Sequence, residues 1–182
     1  IPIPPVQLDS EIPTSVSDIV MKALQKEPRL RYQTATEMLR DLNTVLENGF
    51  IPIFPCIGWS AKGKPYNISS IKLACETAIC LKADKLFFLT PDTSITEKDF
   101  IISKDMPLSP EGCIPALNLE ELEIFLKDNK ENQSSVINLL KNGLQVCKSG
   151  VSRVHILNGQ IDGTLPCEIF SDLGSGTMIY KS

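Results

Sequence analysis

The spacing of apolar residues changes at Asn48-Gly49, and this change limits the possible folds more than any other feature. Before it, Val16, Ile19, Val20, Ala23 and Leu24 recur at helical spacing, with Ser15 or Ser17 able to cap the first turn. Pro28 ends that helix. A second helix starts near Thr34, where Thr34 and Glu37 form a capping-box pattern and Met38, Leu39, Leu42, Val45 and Leu46 supply an apolar stripe. Ahead of both, Pro2, Pro4, Pro5 and Pro13 predict an extended, non-helical lead-in.

After Gly49, short apolar runs alternate with amphipathic ones. Phe50–Ile57 reads as a buried strand interrupted by Pro52 and Pro55, and residues 58–65 as a loop. A helix is expected over 68–81, a strand over 85–89 and irregular chain over 91–117. Asn118 with Glu121 starts a helix over 119–127, and a longer one covers 136–148 and stops at Ser149-Gly150. A strand at 154–157, a short helix at 165–170 and a last strand at 177–180 complete the pattern. Strands alternating with helices predict an α/β layer with mostly parallel pairing.

Charge and cysteine content exclude several functions. The 182 residues carry a net charge of −4, and neither side of the period change is basic, so no nucleic-acid groove or anionic-membrane patch is expected. No apolar run approaches the roughly 20 residues of a membrane span, nothing at the start resembles a signal peptide, and a cytoplasmic location is expected. The six cysteines form no CxxC pair and no zinc spacing, so no metal site is expected. They read as reduced thiols, with Cys75 and Cys80 in an apolar helical pattern that suits buried ones. The first methionine is Met21, which predicts a processed or cut piece.

Three places combine polar groups with an apolar setting. Gly58, Gly63, Tyr66 and Asn67 lead from strand to helix, either as a ligand shelf or as an ordinary connection. Gly174-Ser175-Gly176-Thr177 is either an anion cradle or a tight turn. His155, the single histidine, falls on a buried strand, where a satisfied core imidazole is expected. The run Glu120, Glu121, Glu123 reads as a solvated helix face.

Two stretches resemble known families. Ile12–Leu42 is similar to the end of a bacterial serine/threonine protein kinase domain, through Ile19-Val20-x-Lys22-Ala23-Leu24, Lys26-x-Pro28-x-x-Arg31-Tyr32-Gln33 and Ala35-x-Glu37-Met38. That resemblance implies a helical remnant without kinase chemistry, in which Arg31 is solvated or newly paired. Asn48–Tyr180 resembles the second half of the amino-acid-kinase-type domain of N-acetylglutamate synthases. The matching stretches are Ile57-Gly58-Trp59-Ser60-x-x-Gly63-x-x-Tyr66-Asn67-Ile68-Ser69, Leu81–Leu86, Cys147–Val151, Arg153–Ile156, Asp162-Gly163, Glu168–Phe170 and Gly174-x-Gly176-Thr177-Met178-Ile179. Acetylglutamate kinases share this half-domain but carry an aspartate at the position of Ile71 and a lysine at that of Leu139.

The resemblance implies a three-layer αβα half-domain with a mostly parallel sheet over 48–182, preceded by a two-helix segment over 1–47. It implies the regulatory, kinase-like part of an arginine-biosynthetic amino-acid N-acetyltransferase, with no catalytic residue and no complete active site. Acetyl-CoA would serve the full family enzyme and no cofactor this chain, because the acetyltransferase domain is absent from it. By the same resemblance Asn67 and Gly58 would bind N-acetylglutamate. His155, Glu168 and Gly174 would shape a feedback L-arginine pocket, with Glu168 pairing the guanidinium. Partners would be these small molecules, with self-association left open. A protein-kinase fragment, an acetylglutamate kinase and a noncatalytic arginine-binding module are the alternatives.

Overall fold

The computed structural model describes residues 2–60, 64–91, 94–171 and 174–181. The chain divides into two compact units, Ile1–Ile68 and Ser69–Ser182.

The first unit is helical at its start. Helix α1 (Pro5–Leu8) occupies one turn of the lead-in expected to be extended. Pro5 fills its first position, where a missing N–H costs nothing, so proline density permitted a turn it was expected to forbid. Helix α2 (Thr14–Ala23) follows Pro13, and Ser17 accepts from the Val6 amide instead of capping α2. A short 3₁₀ turn at Pro28–Leu30 leads to α3 (Ala35–Glu47), whose Thr34 cap accepts from the Glu37 amide. The Glu37 carboxylate accepts from the amide of Gln33, one residue ahead of the expected capping-box partner. Arg31 is re-paired, its Nε donating to the Gln25 carbonyl at 2.7 Å.

The expected buried strand at 50–57 does not form. Only β1 (Ile57–Trp59) is a strand, paired antiparallel with β2 (Pro65–Asn67), while Ile51 and Ile53 are 88% and 91% exposed. Pro52 and Pro55 explain the failure, since each removes a ladder donor from an eight-residue run.

The second unit is the α/β layer. Helix α4 (Ser70–Cys80) is capped by Ser69, and strand β3 (Lys85–Thr90) follows it. Strand β4 (Ala116–Asn118) lies at the end of the stretch expected to be irregular. Helix α5 (Leu119–Asp128) has a complete Asn118–Glu121 capping box, and α6 (Ser135–Lys148) begins at a Ser134 cap. Strand β5 (Arg153–Asn158), α7 (Thr164–Phe170) and β6 (Gly176–Tyr180) finish the unit. The strands order as β3-β5-β6-β4, with β3–β5 and β4–β6 parallel and β5–β6 antiparallel.

Alternation along the strands sorts the side chains into two faces. Val154, Ile156, Leu117 and Ile179 share the face packed by α6, where Gly143 leaves room for the Ile179 side chain. Helices α4 and α5 pack beside α6 on that face. His155 points to the opposite face, which is served by α7, so the sheet lies between two unequal helical layers. Gly176 is required at the β5–β6 contact, because a Cβ there would collide with the Ile156 carbonyl.

The segment 94–115 is held by Asn132, which donates to the Asp99 carbonyl, by Thr177, which donates to the Ile114 carbonyl, and at its middle by Asn129. Asn129, 4% exposed, accepts from the Ile101 amide and donates to the Ile101 and Phe125 carbonyls, with lengths of 2.8, 2.8 and 3.0 Å. Cys75 and Cys147 are buried, but Cys80 is exposed: it closes the last turn of α4, past the face that packs on α6. In the acidic run, Glu121 serves the cap and Glu123 pairs with Lys148 at the surface.

Candidate ligand-binding site

Three of the five residues singled out in the sequence converge in the second unit. His155 is buried on β5, and the ring of its β3 register partner Phe87 stacks on it at 4.7 Å between centroids and 18° between planes. The chain then leaves β5, turns through Gly163 in the left-handed conformation at φ 79°, and enters α7. This brings Glu168 back over β5. Its Oε1 lies 2.7 Å from His155 Nδ1, with the two side chains only 9% and 5% exposed. Glu168 is therefore a buried, paired carboxylate and not a solvated one on a surface helix.

The other carboxylate oxygen is held by the loop entering β6. The Ser175 amide donates to Glu168 Oε2 at 2.7 Å, and the Ser175 hydroxyl donates to the Thr164 carbonyl at 3.1 Å. Gly174 precedes it with φ 61°, a left-handed conformation, and a Cβ there would stand 3.7 Å from Oε2. The Gly174–Thr177 turn does hold an anion, but that anion is the chain's own Glu168. Ser175, Thr164 and Phe87 were missed as site residues. The glycines around Ser175 were the visible signal, and only the resemblance joined Gly174 to Glu168.

The pairing fixes the site's polarity. The Glu168 carboxylate accepts from Nδ1, so Nε2 is a lone-pair acceptor in the neutral ring and a second donor in the imidazolium. Nε2 is buried and has no hydrogen-bond partner among the described residues. A buried polar atom left unpaired costs about 1–3 kcal/mol, so the arrangement holds unused hydrogen-bonding capacity at Nε2. The carboxylate and the Thr164 carbonyl are acceptors that each keep lone pairs beyond those used by His155 and Ser175. Such a set suits a ligand rich in N–H donors, above all a guanidinium.

Gly58 and Asn67 sit on the β1–β2 hairpin of the first unit, in the register pairs Gly58–Tyr66 and Ile57–Asn67. The Tyr66 ring crosses Gly58 so closely that a Cβ there would be 2.5 Å from a ring carbon, and Asn67 is exposed. Gly63 lies outside the described residues. The first unit also holds a cavity of about 210 Å³ lined by Ser15, Asp18, Ile19, Lys22, Tyr32, Asp41 and Thr44, which the sequence did not suggest. Lys22 pairs there with Glu37 at 2.9 Å and Asp41 at 3.4 Å, beneath the Tyr32 ring. Among the described residues no helix is long and apolar enough to cross a membrane, and no group of three or more His, Cys, Asp or Glu could hold a metal ion.

The family model described as "Amino acid kinase family" matches residues 6–158. The chain belongs to the amino acid kinase family. Among curated members, it is 34% identical over 140 residues to acetylglutamate kinase of Methanosarcina barkeri, covering 77% of this chain and 41% of the relative. Among solved structures, it is similar to N-acetylglutamate synthase of Neisseria gonorrhoeae complexed with coenzyme A and N-acetylglutamate. That match has 31% identity and a TM-score of 0.62, and covers 80% of this chain and 31% of the synthase. The same synthase complexed with coenzyme A and L-arginine matches at 31% identity and a TM-score of 0.59, covering 79% and 30%. The chain thus spans less than two thirds of the length of these family members. The matched region includes the helical segment likened to a serine/threonine protein kinase, and the comparisons give that likeness no support.

Proposed function

We propose that the chain is the regulatory, amino-acid-kinase-like part of an N-acetylglutamate synthase of arginine biosynthesis, and that its second unit binds L-arginine. The observation that carries this reading is the acceptor cluster of Glu168, His155 and the Ser175 loop, which suits a guanidinium. The similarity to a synthase complexed with L-arginine supports it. Asn67 and Gly58 are assigned by resemblance to the N-acetylglutamate side of the domain. Acetyl-CoA is left to the acetyltransferase part of the family enzyme, and this chain is assigned no cofactor.

Two positions favour synthase over kinase. Leu139 is 3% exposed in the core and Ile71 packs against that core, where the resemblance puts the lysine and aspartate of acetylglutamate kinases. Neither residue can bind or neutralise a phosphoryl group. Acetylglutamate kinase is the second reading, favoured by curated relatives such as the M. barkeri enzyme. Millimolar L-arginine, and not L-lysine, should raise the melting temperature, and Glu168→Ala should abolish the shift. No shift with the wild-type chain would refute arginine binding, and ATP-dependent phosphorylation of N-acetylglutamate would favour the kinase.

A further inference from the structure

We infer that Ser175 is the positioning residue of the guanidinium site: it sets the orientation of the Glu168 carboxylate and, through it, the tautomer of His155. The inference rests on the arginine-binding reading above and adds to it a residue that determines specificity.

Ser175 ties two elements together, holding α7 at two points and leading into β6. Its backbone amide is bound to Glu168 Oε2 on α7, its hydroxyl to the Thr164 carbonyl in the first turn of α7, and its chain continues directly into β6. The hydroxyl also stands 3.5 Å from Oε2, at the limit of a bond. A carboxylate on a seven-residue helix can rotate about its own side-chain torsions. Here Oε1 is fixed by His155 and Oε2 by Ser175, so the carboxylate plane is held at both ends. Thr164 is buried at 5% exposure, and the Ser175 hydroxyl therefore anchors the loop to a rigid point. Without that anchor the amide at Oε2 is free to move with its loop. A carboxylate that swings loses the bidentate geometry a guanidinium needs but keeps most of its attraction for a simple ammonium. Ser175 should therefore act on discrimination between donors more than on charge recognition.

The test uses the whole 182-residue chain with Ser175→Ala, Ser175→Thr and Ser175→Val, since threonine and valine have the same shape and differ only in the hydroxyl. Calorimetry would measure affinity for L-arginine and for L-lysine. Ser175→Ala and Ser175→Val should weaken arginine by about five- to tenfold and lower the arginine-to-lysine ratio, while Ser175→Thr should stay within about twofold of wild type. The single imidazole gives an independent readout, because the ¹⁵N spectrum of histidine contains His155 alone. In the ligand-free alanine variant the Nδ1 and Nε2 resonances should move toward the averaged values of a ring exchanging tautomers. Unchanged arginine selectivity and unchanged His155 shifts in Ser175→Ala would overturn the inference. Equal losses in threonine and valine would also overturn it, since shape and not the hydroxyl would then matter. If wild type binds no arginine, the arginine reading fails, and the specificity claim fails with it. The imidazole shifts would still report whether Ser175 positions the pair.

Discussion

His155 and Glu168 face each other across a 13-residue excursion of chain, Nδ1 to Oε1 at 2.7 Å, one on a strand and the other on a seven-residue helix. Helix α7 is too short to be stable alone, so its position depends on what it touches. The buried pair therefore serves the fold as well as any ligand.

Removing the carboxylate should be visible in the ligand-free protein. Glu168→Ala leaves Nδ1 buried without a partner and should cost about 1–3 kcal/mol. Glu168→Gln retains an acceptor and should cost less. Thermal melts of both variants against wild type would check the order, with the alanine midpoint lower by roughly 2–10 °C.

Leu139 provides a direct test of whether kinase chemistry fits. Its side chain is 3% exposed on α6, in a core that includes Leu122, Val136 and Leu140. Leu139→Lys should destabilise the second unit by about 3–5 kcal/mol, because an unpaired ammonium would replace packed hydrocarbon. Leu139→Met should cost under about 1.5 kcal/mol. Denaturant midpoints measured for both would decide.

The cysteines should separate by reactivity. Burial pushes the Cys147 thiol up to about 11 and also raises that of Cys75, whereas Cys56 and Cys80 are exposed. At pH 8 roughly one Cys147 in a thousand would be thiolate, even before access is considered. Alkylation followed by mass spectrometry should label Cys56 and Cys80 in the native protein, and Cys147 only after unfolding.

Tyr32 should ionise well above the ordinary phenol range. Burial first, and then its hydrogen bond to Asp41, raise its phenol to about 12. A folded value above the unfolded one near 10 makes Tyr32 stabilising below pH 10, and that contribution is lost as pH rises through about 12. The neighbouring carboxylates work in the opposite sense. The Lys22 ammonium holds Glu37 low, and Tyr32 followed by Lys22 holds Asp41 low, so their contribution is lost as pH falls below the ordinary carboxylate range. Absorbance titration at 295 nm should show a late phenolate step that disappears in Tyr32→Phe and moves to lower pH in Asp41→Asn.

Periodicity placed helices over 68–81, 119–127 and 136–148, close to the 70–80, 119–128 and 135–148 that form, because each has an apolar stripe and a side-chain cap that act within a few residues. The errors came from interactions across longer distances. Phe50–Ile57 had a strand's composition, but its prolines left too few donors for a ladder. Strand β4 has only three residues and exists because β6 lies beside it. In the site, the residues marked His155 as a buried imidazole and Gly174–Thr177 as a cradle or turn, and resemblance alone joined them to Glu168. Their assembly depends on Gly163 reversing the chain and on a Ser175 amide, and a backbone donor leaves no trace in a sequence.

Asn129 caps the end of α5 and is buried. Its primary amide meets both the N–H and the C=O of Ile101, as a peptide group on an adjacent strand would. One side chain thus supplies a single rung of sheet to a segment that, among the described residues, pairs with no strand at Ile101. The connection from β3 to β4 can then vary where it is exposed and still return to the same place, provided that rung and the buried Ile95, Phe100, Met106 and Ile114 are kept.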